Sequence, residues 1–317
     1  MVHPDLILGV DGGGTSTVAW LADKQLDGEA AILGRGCGGP SNPHMAGSTV
    51  VTDNLDIAIE AAFLDAGEPR QQVAAACLGL AGAGRESQHR GLLAWAGKCE
   101  LAVEVEIVND AIPLLYAASP AGTGLGLISG TGSFAFCRTD KGQVSRCGGW
   151  GPLLGDGGSG YAVSVAGLQA ATRGADGRGP QTALLDNILG QLQLGEPLQL
   201  IDWVQHQQTD RKTIAALAPV VVQASLAGDK IAAEIIGQAV EDLADLVVTV
   251  AAALEDTPGA PLLAVTGGFL LGDDGILDQL VAALGNRELV LERIVTVQQP
   301  VTGAIVRAAQ LADCQPQ

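Results

Sequence analysis

The stretch Leu6-Ile-Leu-Gly-Val-Asp-Gly-Gly-Gly-Thr-Ser-Thr17 runs from a short apolar segment into one acidic residue, three glycines and three hydroxyl residues. The apolar segment predicts a strand, and the residues after it are typical of a turn that binds phosphate. The turn contains consecutive glycines at Gly12, Gly13 and Gly14. We expect these glycines to adopt backbone angles closed to other residues and to let main-chain N–H groups approach an anion.

The side chains around these glycines suit the same chemistry. Thr15 and Thr17 supply hydroxyl donors, and Asp11 stands where a Mg²⁺ ion on the anion would need a carboxylate. Taken alone, the stretch is equally compatible with a tight glycine hairpin that binds nothing, because short motifs of this kind also occur by chance. The rest of the chain must therefore decide between the two.

The composition indicates a folded chain with more than one core. Of its 317 residues, 47% are hydrophobic and 16% are charged, and single cores usually stop growing below this length. Two domains are therefore expected, one formed by residues 1–117 with 300–317 and the other by residues 118–299. A cleft between them would then be available to a ligand.

The charge argues against a protein that binds nucleic acid. The formal net charge is −18, and the 17 Lys and Arg residues are spread along the chain, whereas neutralising phosphates requires clustered cations. We therefore expect an anionic ligand to be held by backbone amides and a metal ion, with little help from Lys or Arg.

The sequence also argues against a membrane or exported protein. The stretch from Leu246 to Leu254 is too short to span a bilayer, and the first residues lack the pattern of a secretory signal. The six cysteines form no Cys-x-x-Cys pair and the four histidines show no metal-ligand spacing. We expect the cysteines to pack as small hydrophobes in the cytoplasm, without a membrane partner.

The hydrophobic patterns predict a mixed sheet with helices on its faces. Strands are predicted at 6–10, 17–22, 30–35, 73–80, 103–108, 124–129, 133–138, 143–147, 261–266 and 293–297. Helices are predicted at 46–66, 85–97, 181–193, 211–227, 229–255, 274–284 and 301–312. The glycine-dense stretch 148–160 is the best candidate for a linker.

The opening pattern occurs twice. The predicted strands 124–129 and 133–138 flank Gly130-Thr-Gly132, a second turn rich in glycine and hydroxyl groups. Two domains that each begin with such a hairpin could present both turns to one phosphate chain. An interpretation with a single domain leaves the second turn unexplained.

Three further segments place polar groups or close backbone turns after strands. Val108-Asn109-Asp110 ends a strand and opens a helix, so Asp110 is a candidate general base, a helix N-cap, or both. The loop from Gly148 to Gly160 contains seven glycines and brings backbone close to a polar ligand. Thr266-Gly267-Gly268-Phe269 suits a flat ligand group, or is a plain connection from strand to helix.

With these segments in place, the chain resembles the N-acetylglucosamine kinase branch of the actin-like ATPase and sugar kinase superfamily, within the BadF/BadG/BcrA/BcrD-type ATPases. The resemblance spans nearly the whole chain. It rests on a first phosphate loop, an acidic connection, a second phosphate loop, a sugar-side glycine loop and an adenosine loop, at residues 9–17, 108–110, 129–133, 148–159 and 266–269. The implied fold is a two-domain, ribonuclease H-like α/β fold with mixed sheets flanked by helices.

The resemblance implies ATP-dependent phosphorylation of an amino sugar at its 6-hydroxyl, by a homodimer whose cleft closes on its substrate. Asp110 is the implied base and Asp11 the implied Mg²⁺ ligand. The implied sugar-binding residues are Asn42, Asn109, Asp110, Thr131, Gly132, Gly149 and Asp156. The implied ATP-binding residues are Gly12, Gly13, Gly14, Thr15, Thr17, Gly130, Thr131, Gly132, Gly267 and Gly268.

Two departures from the family pattern lie near the expected sugar pocket. Gly157 stands where relatives often carry Glu, and Phe134 stands where vertebrate-type kinases carry Asn. The acceptor is therefore open between N-acetylglucosamine, glucosamine and another hexose.

Two other functions remain open at this point. The first is an ATP-driven switch, an ATPase that activates a partner redox enzyme. The neighbouring family with this function resembles this fold but holds an iron–sulfur cluster through cysteines, and here only Cys137 and Cys147 are closely spaced. A sugar sensor without phosphoryl transfer would not need both Asp11 and Asp110.

Overall fold

The computed structural model describes residues 2–25, 31–42, 47–83, 85–206, 208–254 and 259–314. The chain divides into two compact units, one formed by Met1–Thr123 with Gln299–Gln317 and the other by Gly124–Gln298. Each unit contains one five-stranded mixed sheet with helices, which confirms the predicted mixed α/β class. The domain boundaries drawn from the sequence stay a prediction.

The first unit is built on a sheet with the strand order β3-β2-β1-β4-β5. Its strands are β1 (Val2–Gly12), β2 (Thr17–Asp23), β3 (Ile32–Gly38), β4 (Gln72–Leu80) and β5 (Ala102–Val108). Its helices are α1 (Ser48–Asp65), α2 (Glu86–Lys98), α3 (Ile112–Ala118) and α11 (Val301–Asp313). β1 pairs antiparallel with β2 and parallel with β4, and β4 pairs parallel with β5.

The central strand of this sheet is buried on both faces. Leu8 and Val10 of β1 pack in a core that includes residues of α1 and α2. Ile7 belongs to a second core with α11 on the opposite face, as the alternation of side chains along a strand requires. At Gly9 an added Cβ would lie 2.8 Å from the backbone nitrogen of Ile305, so α11 crosses β1 at a distance that only glycine allows.

The second unit repeats the arrangement with the strand order β10-β9-β6-β7-β8. Its strands are β6 (Gly124–Ser129), β7 (Ser133–Arg138), β8 (Val144–Gly148), β9 (Leu263–Thr266) and β10 (Ile294–Thr296). Its helices are α4 (Gly160–Ala175), α5 (Leu184–Leu192), α6 (Gln199–Gln205), α7 (Arg211–Ala215), α8 (Ala218–Leu226), α9 (Lys230–Ala251) and α10 (Asp274–Asn286). In both sheets a three-stranded antiparallel meander is followed by two parallel strands.

This topology brings the predicted loops of each unit to one sheet edge. In the first unit the hairpin turn after Gly12 lies beside the end of β4, since Gly12 pairs with Leu80. In the second, Ile128 pairs with Thr266, so the turn after β6 lies beside the end of β9. The carboxyl ends of parallel strands are where ligands bind in open α/β sheets.

The structure corrects three details of the predicted elements. The helix expected at 211–227 is interrupted and forms α7 and α8, because Pro219 lies in the first turn of a new helix, where proline is tolerated. The candidate linker 148–160 lies inside the second unit and connects β8 to α4. The strand predicted from residue 30 begins at Ile32, and the helix predicted from residue 46 begins at Ser48. Residues 30 and 46 themselves lie outside the described part of the chain.

Within the described residues, no helix is both long enough and apolar enough to cross a membrane.

Gly303→Ala should destabilise the first unit. An added Cβ on this residue of α11 would overlap the carbonyl oxygen of Pro113 in α3, which is backbone and cannot move aside cheaply. We expect a loss of about 1–3 kcal/mol in the free energy of unfolding, measured by urea denaturation. Gly237→Ala in α9 is the control, since an added Cβ there meets nothing within 4 Å and Ala favours a helix. Equal stability of both variants would contradict this account of the packing.

Candidate functional site

The first glycine turn is closed by its own backbone. The N–H of Gly13 donates to the carbonyl of Ser16 at 2.9 Å, and the N–H of Ser41 donates to the carbonyl of Gly13 at 3.1 Å. An added Cβ on Gly12 would collide with the Ser41 hydroxyl. The segment before Asn42 is therefore held directly against the turn, so the predicted sugar contact and the predicted phosphate loop are neighbours in one unit.

Two expectations about this turn need correction. Gly12, Gly13 and Gly14 are not among the glycines with positive φ, so special backbone angles do not explain them, and close packing against Ser41 and Leu80 requires glycine at position 12. Thr17 is fully buried and its hydroxyl donates to the carbonyl of Gly39 at 2.7 Å, so in this structure it ties the turn to the end of β3. Thr15 is exposed.

Asp11 and Asp110 form a pair of acidic groups at the edge of the first sheet. Asp11 lies on β1, and Asp110 follows β5. Burial raises the pKa of Asp110 to about 6, although the backbone N–H groups of Asp110 and Ala111 favour its charged form. Burial also raises the pKa of Asp11 to about 7, and the negative charge of Asp110 adds to this rise because Asp110 ionises first. Near neutral pH the pair carries negative charge that is poorly solvated.

The loop that carries Asp110 is fixed by local contacts. The side-chain oxygen of Asn109 accepts a hydrogen bond from the N–H of Ala111 at 3.1 Å, which forms an Asx-turn directly before α3. An added Cβ on Gly79 of β4 would lie 2.5 Å from Pro113, so this glycine lets α3 begin directly beside the sheet. The structure contradicts the predicted N-cap role of Asp110, because the N-cap of α3 is Ala111 and no side chain caps this helix. The candidate role as a base is the one that stays a prediction for Asp110.

The second glycine turn is tied to the glycine-rich loop after β8. The N–H of Gly130 donates to the carbonyl of Gly132 at 3.0 Å, and the carbonyl of Gly130 accepts from the N–H of Gly160 at 2.8 Å. The hydroxyls of Ser129 and Ser133 donate to the carbonyls of Gly158 and Gly157 at 2.7 and 2.6 Å. The predicted phosphate turn and the predicted sugar-side loop thus form one rigid group in the second unit.

Asp156 is the buried acid of that loop. Its side chain is 5% exposed, and its backbone has φ +60, which is uncommon for a residue other than glycine. One carboxylate oxygen accepts from the N–H of Gly151 at 3.2 Å and the other pairs with Arg211 at 2.8 Å. Arg211 was not predicted from the sequence, because no local pattern connects two residues so far apart in the chain.

A cavity of about 360 Å³ lies in the second unit beside the two predicted nucleotide loops. Three of the residues that were predicted to bind ATP line this cavity, namely Gly130, Thr131 and Gly268. Residues of α7, of α8 and of the turn between them also line it, namely Lys212, Ala215, Ala216, Ala218, Pro219, Val222 and Gln223. The lining is completed by Gly160, Phe269, Gly272, Asp273 and Ile276. Apolar walls with a few polar groups suit a flat heteroaromatic ring, and small apolar residues carry no motif that could have predicted them.

Gly267 and Gly149 are needed for backbone geometry near these loops. Gly267 has φ +114, and an added Cβ there would collide with the carbonyl of Ser129. That same carbonyl accepts hydrogen bonds from the N–H groups of Phe269 and Leu270, both at 3.1 Å. Gly149 has φ +69, and its N–H donates to the carbonyl of Ser133 at 3.0 Å.

Comparisons with known proteins agree with this arrangement over nearly the whole chain. The model of the BadF/BadG/BcrA/BcrD ATPase family matches residues 8–308. N-acetylmuramic acid/N-acetylglucosamine kinase of Clostridium acetobutylicum is 28% identical over 97% of this chain and 99% of that protein. N-acetyl-D-glucosamine kinase of Dictyostelium discoideum is 31% identical over 78% of this chain and 79% of that protein.

A solved structure is similar over the same extent. The crystal structure of a candidate N-acetylglucosamine kinase from Chromobacterium violaceum has a TM-score of 0.68 and 25% sequence identity, and the match covers 97% of this chain and 99% of that one. The similarity therefore includes both units.

Asp11→Asn should stabilise the protein more at pH 8 than at pH 5 when divalent cations are removed. The folded state keeps the Asp11 proton up to about pH 7, whereas the unfolded chain loses it near the ordinary value. The free energy of unfolding of the wild type therefore falls as the pH rises from about 4 to about 7, and Asn avoids this loss because it cannot ionise. Thermal unfolding in EDTA measures the difference, which we expect to reach a few degrees at pH 8.

The matched control is Asp140→Asn, which removes a carboxylate from an exposed turn and should leave the melting temperature unchanged. A difference between Asp11→Asn and wild type that is the same at both pH values would contradict the assignment.

Proposed function

Because the chain belongs to the BadF/BadG/BcrA/BcrD ATPase family, we propose that it is a kinase that transfers the γ-phosphoryl group of ATP to the 6-hydroxyl of N-acetylglucosamine. The observation that carries the proposal is the half-buried carboxyl group of Asp110 just after β5, whose desolvation raises its pKa to about 6 and still leaves it charged at neutral pH. A general base works best when its pKa is near the working pH. Asp110 would accept the proton of the sugar hydroxyl as that oxygen attacks phosphorus.

Asp11 and Asp110 have the chemistry of a magnesium site. Mg²⁺ is usually bound by one or two carboxylates together with substrate phosphates and water, so it needs no larger group of protein ligands. In the described part of the chain, no group of three or more metal-binding side chains occurs. Asp11 would hold the ion, directly or through water. When bound, Mg²⁺ would neutralise charge on the ATP phosphates.

The remaining ATP contacts would come from backbone. In the first unit, the backbone of Gly12 to Gly14 and the hydroxyl of Thr15 would approach the phosphates. The hydrogen bonds from the Gly13 N–H to Ser16 and from the Thr17 hydroxyl to Gly39 would keep the turn in shape. In the second unit, Gly130, Thr131 and Gly132 would contact the phosphates. The adenosine would occupy the cavity beside Gly268, with Gly267 holding the loop in place. Phosphoryl transfer depends mainly on positioning and charge stabilisation, which such a site supplies.

The proposed sugar contacts of each unit are those that the sequence predicts. In the first unit they are Asn42 and Asn109, and in the second unit they are Thr131, Gly132, Gly149 and Asp156. N-acetylmuramic acid is a second candidate acceptor, since the Clostridium relative is named for both sugars. Phe134 places an apolar side chain beside Gly149, where Asn would offer a hydrogen-bonding amide, so it favours a less polar substituent on the sugar.

We also propose the cytoplasm as the place of action and a homodimer as the working form. The six cysteines are all free thiols, as a reducing compartment favours, and ATP is abundant in the cytoplasm. The dimer is proposed from the family resemblance, and size-exclusion chromatography with light scattering tests it.

Asp110→Asn should abolish sugar-stimulated release of ADP. Asn has the same shape but cannot accept the proton, so we expect kcat to fall by about 10²- to 10⁴-fold. A coupled assay with Mg²⁺ and ATP would compare N-acetylglucosamine, N-acetylmuramic acid, glucosamine, glucose and no sugar. Wild-type kcat/KM should fall below pH about 6, where Asp110 becomes protonated.

The control is Asp176→Asn, an exposed carboxylate at the end of α4, which should keep full activity. The proposal would be contradicted if ATP hydrolysis had the same rate with and without sugar, or if Asp110→Asn were as active as wild type. Either result would favour an ATP-driven switch.

Gln223→Trp should raise the KM for ATP. Gln223 is exposed on α8 and lines the cavity of about 360 Å³, so an indole there would fill space that the adenosine needs without disturbing the core. We expect an increase of about tenfold or more in the KM for ATP and little change in the KM for sugar. Leu226→Trp is the control, because Leu226 is 63% exposed on the same helix and does not line the cavity. An equal KM for ATP in both variants would place the adenosine elsewhere.

A further inference from the structure

The environment of Asp156 differs from that of the other two acids of the site. Asp11 and Asp110 are half-buried acids, whereas Asp156 is buried and its carboxylate is paired with the guanidinium of Arg211. The Arg211 and Asp156 side chains are hydrogen-bonded at 2.8 Å, although they are 55 residues apart in the sequence. A buried carboxylate without a partner is costly, so this ion pair is what allows Asp156 to be buried in the loop.

Arg211 is itself held in place from two sides. Its guanidinium lies 5.7 Å from the centre of the Tyr161 ring, at the start of α4, in a cation–π contact. It also lies beside the second glycine turn, because an added Cβ on Gly132 would be 3.5 Å from the guanidinium and 3.0 Å from the Asp156 carboxylate. The absence of a side chain at Gly132 therefore makes room for the ion pair.

The ion pair also leaves part of each group open to a ligand. The Arg211 side chain is 45% exposed, so the guanidinium closes one side of Asp156 without being buried itself. One oxygen of Asp156 is held by the N–H of Gly151 and the other by Arg211, and a carboxylate has about four acceptor sites in all. Asp156 can therefore accept sugar hydroxyls while both of these contacts remain.

We propose that Arg211 is a positioning residue for the acceptor sugar, which holds the Asp156 carboxylate in the orientation that binds sugar hydroxyls. The inference rests on the proposed function, because it takes Asp156 as a sugar contact. It assigns Arg211 to sugar affinity and not to ATP binding. The next residue, Lys212, lines the nucleotide cavity, so neighbouring cations on α7 serve different substrates.

Arg211→Gln separates these roles. Gln keeps a polar side chain but no charge, so Asp156 loses its ionic partner while Tyr161 and Gly132 stay in place. We expect the KM for N-acetylglucosamine to rise about tenfold or more, with the KM for ATP within about twofold of wild type. Arg211→Lys should recover part of the sugar affinity, because Lys restores the charge but not the planar fork of donors. Lys212→Gln is the matched control, and it should raise the KM for ATP and leave the KM for sugar unchanged.

Three outcomes overturn the inference. An unchanged KM for the sugar in Arg211→Gln would mean that the ion pair contributes to stability alone. In that case the variant would differ from wild type only in a lower melting temperature. Equal increases in both KM values, with no recovery by Arg211→Lys, would mean general damage to the second unit. A wild type without sugar-stimulated ADP release would overturn the proposed function, and this inference with it, whereas an active wild type with a normal Arg211→Gln variant overturns only the inference.

Discussion

The parallel pairing of β1 with β4 and of β4 with β5 is the constraint on which the acidic site depends. Asp11 pairs with Gly79, and Gly79 pairs with Val108, so these three residues form one row across the sheet. Asp110 lies two residues beyond this row. β4 separates the two strands that carry the acids, and neighbouring strands are about 4.7–4.9 Å apart. The β4 residue in this row is Gly79, so no side chain stands between the two acids. The sheet thereby places the two carboxylates in each other's electrostatic field.

The same topology in the second unit supports different chemistry. Its corresponding row has Ile128 beside Thr266, and neither of these residues is an acid. The acid of this unit comes from the loop after β8, and it is neutralised by Arg211. The first unit therefore carries negative charge that a cation can relieve, and the second carries an acid that is already balanced. In a chain with only 17 Lys and Arg residues, two consecutive cations at the start of α7 are placed beside these loops.

How much the sequence predicts depends on the range of the interactions involved. The hairpins and their glycine turns depend on neighbouring residues, and they were predicted. The N-cap predicted at Asp110 was wrong, because the N-cap of α3 is Ala111. The break before α8 also has a local cause in Pro219, but the apolar period continues across it and concealed it. The pairing of Arg211 with Asp156 and the alanine-lined cavity depend on residues that are distant in sequence, so no local pattern indicates them. The glycines of the first turn were predicted for the wrong reason, because close approach of Ser41 requires Gly12, not an unusual backbone angle.

The two departures from the family pattern have a common physical consequence. An added Cβ on Gly157 would lie 2.7 Å from a carboxylate oxygen of Asp242 on α9, so a glutamate at 157 would meet both a steric clash and a like charge. The absence of an acid at 157 and the presence of Asp242 therefore belong together. Phe134 adds an apolar ring 6.0 Å from Phe136, beside the glycine-rich loop. Compared with the family pattern, the proposed acceptor site of this chain thus has one acid fewer and one aromatic ring more. Sugar recognition therefore depends more strongly on Asp156 and on Arg211, which is paired with it.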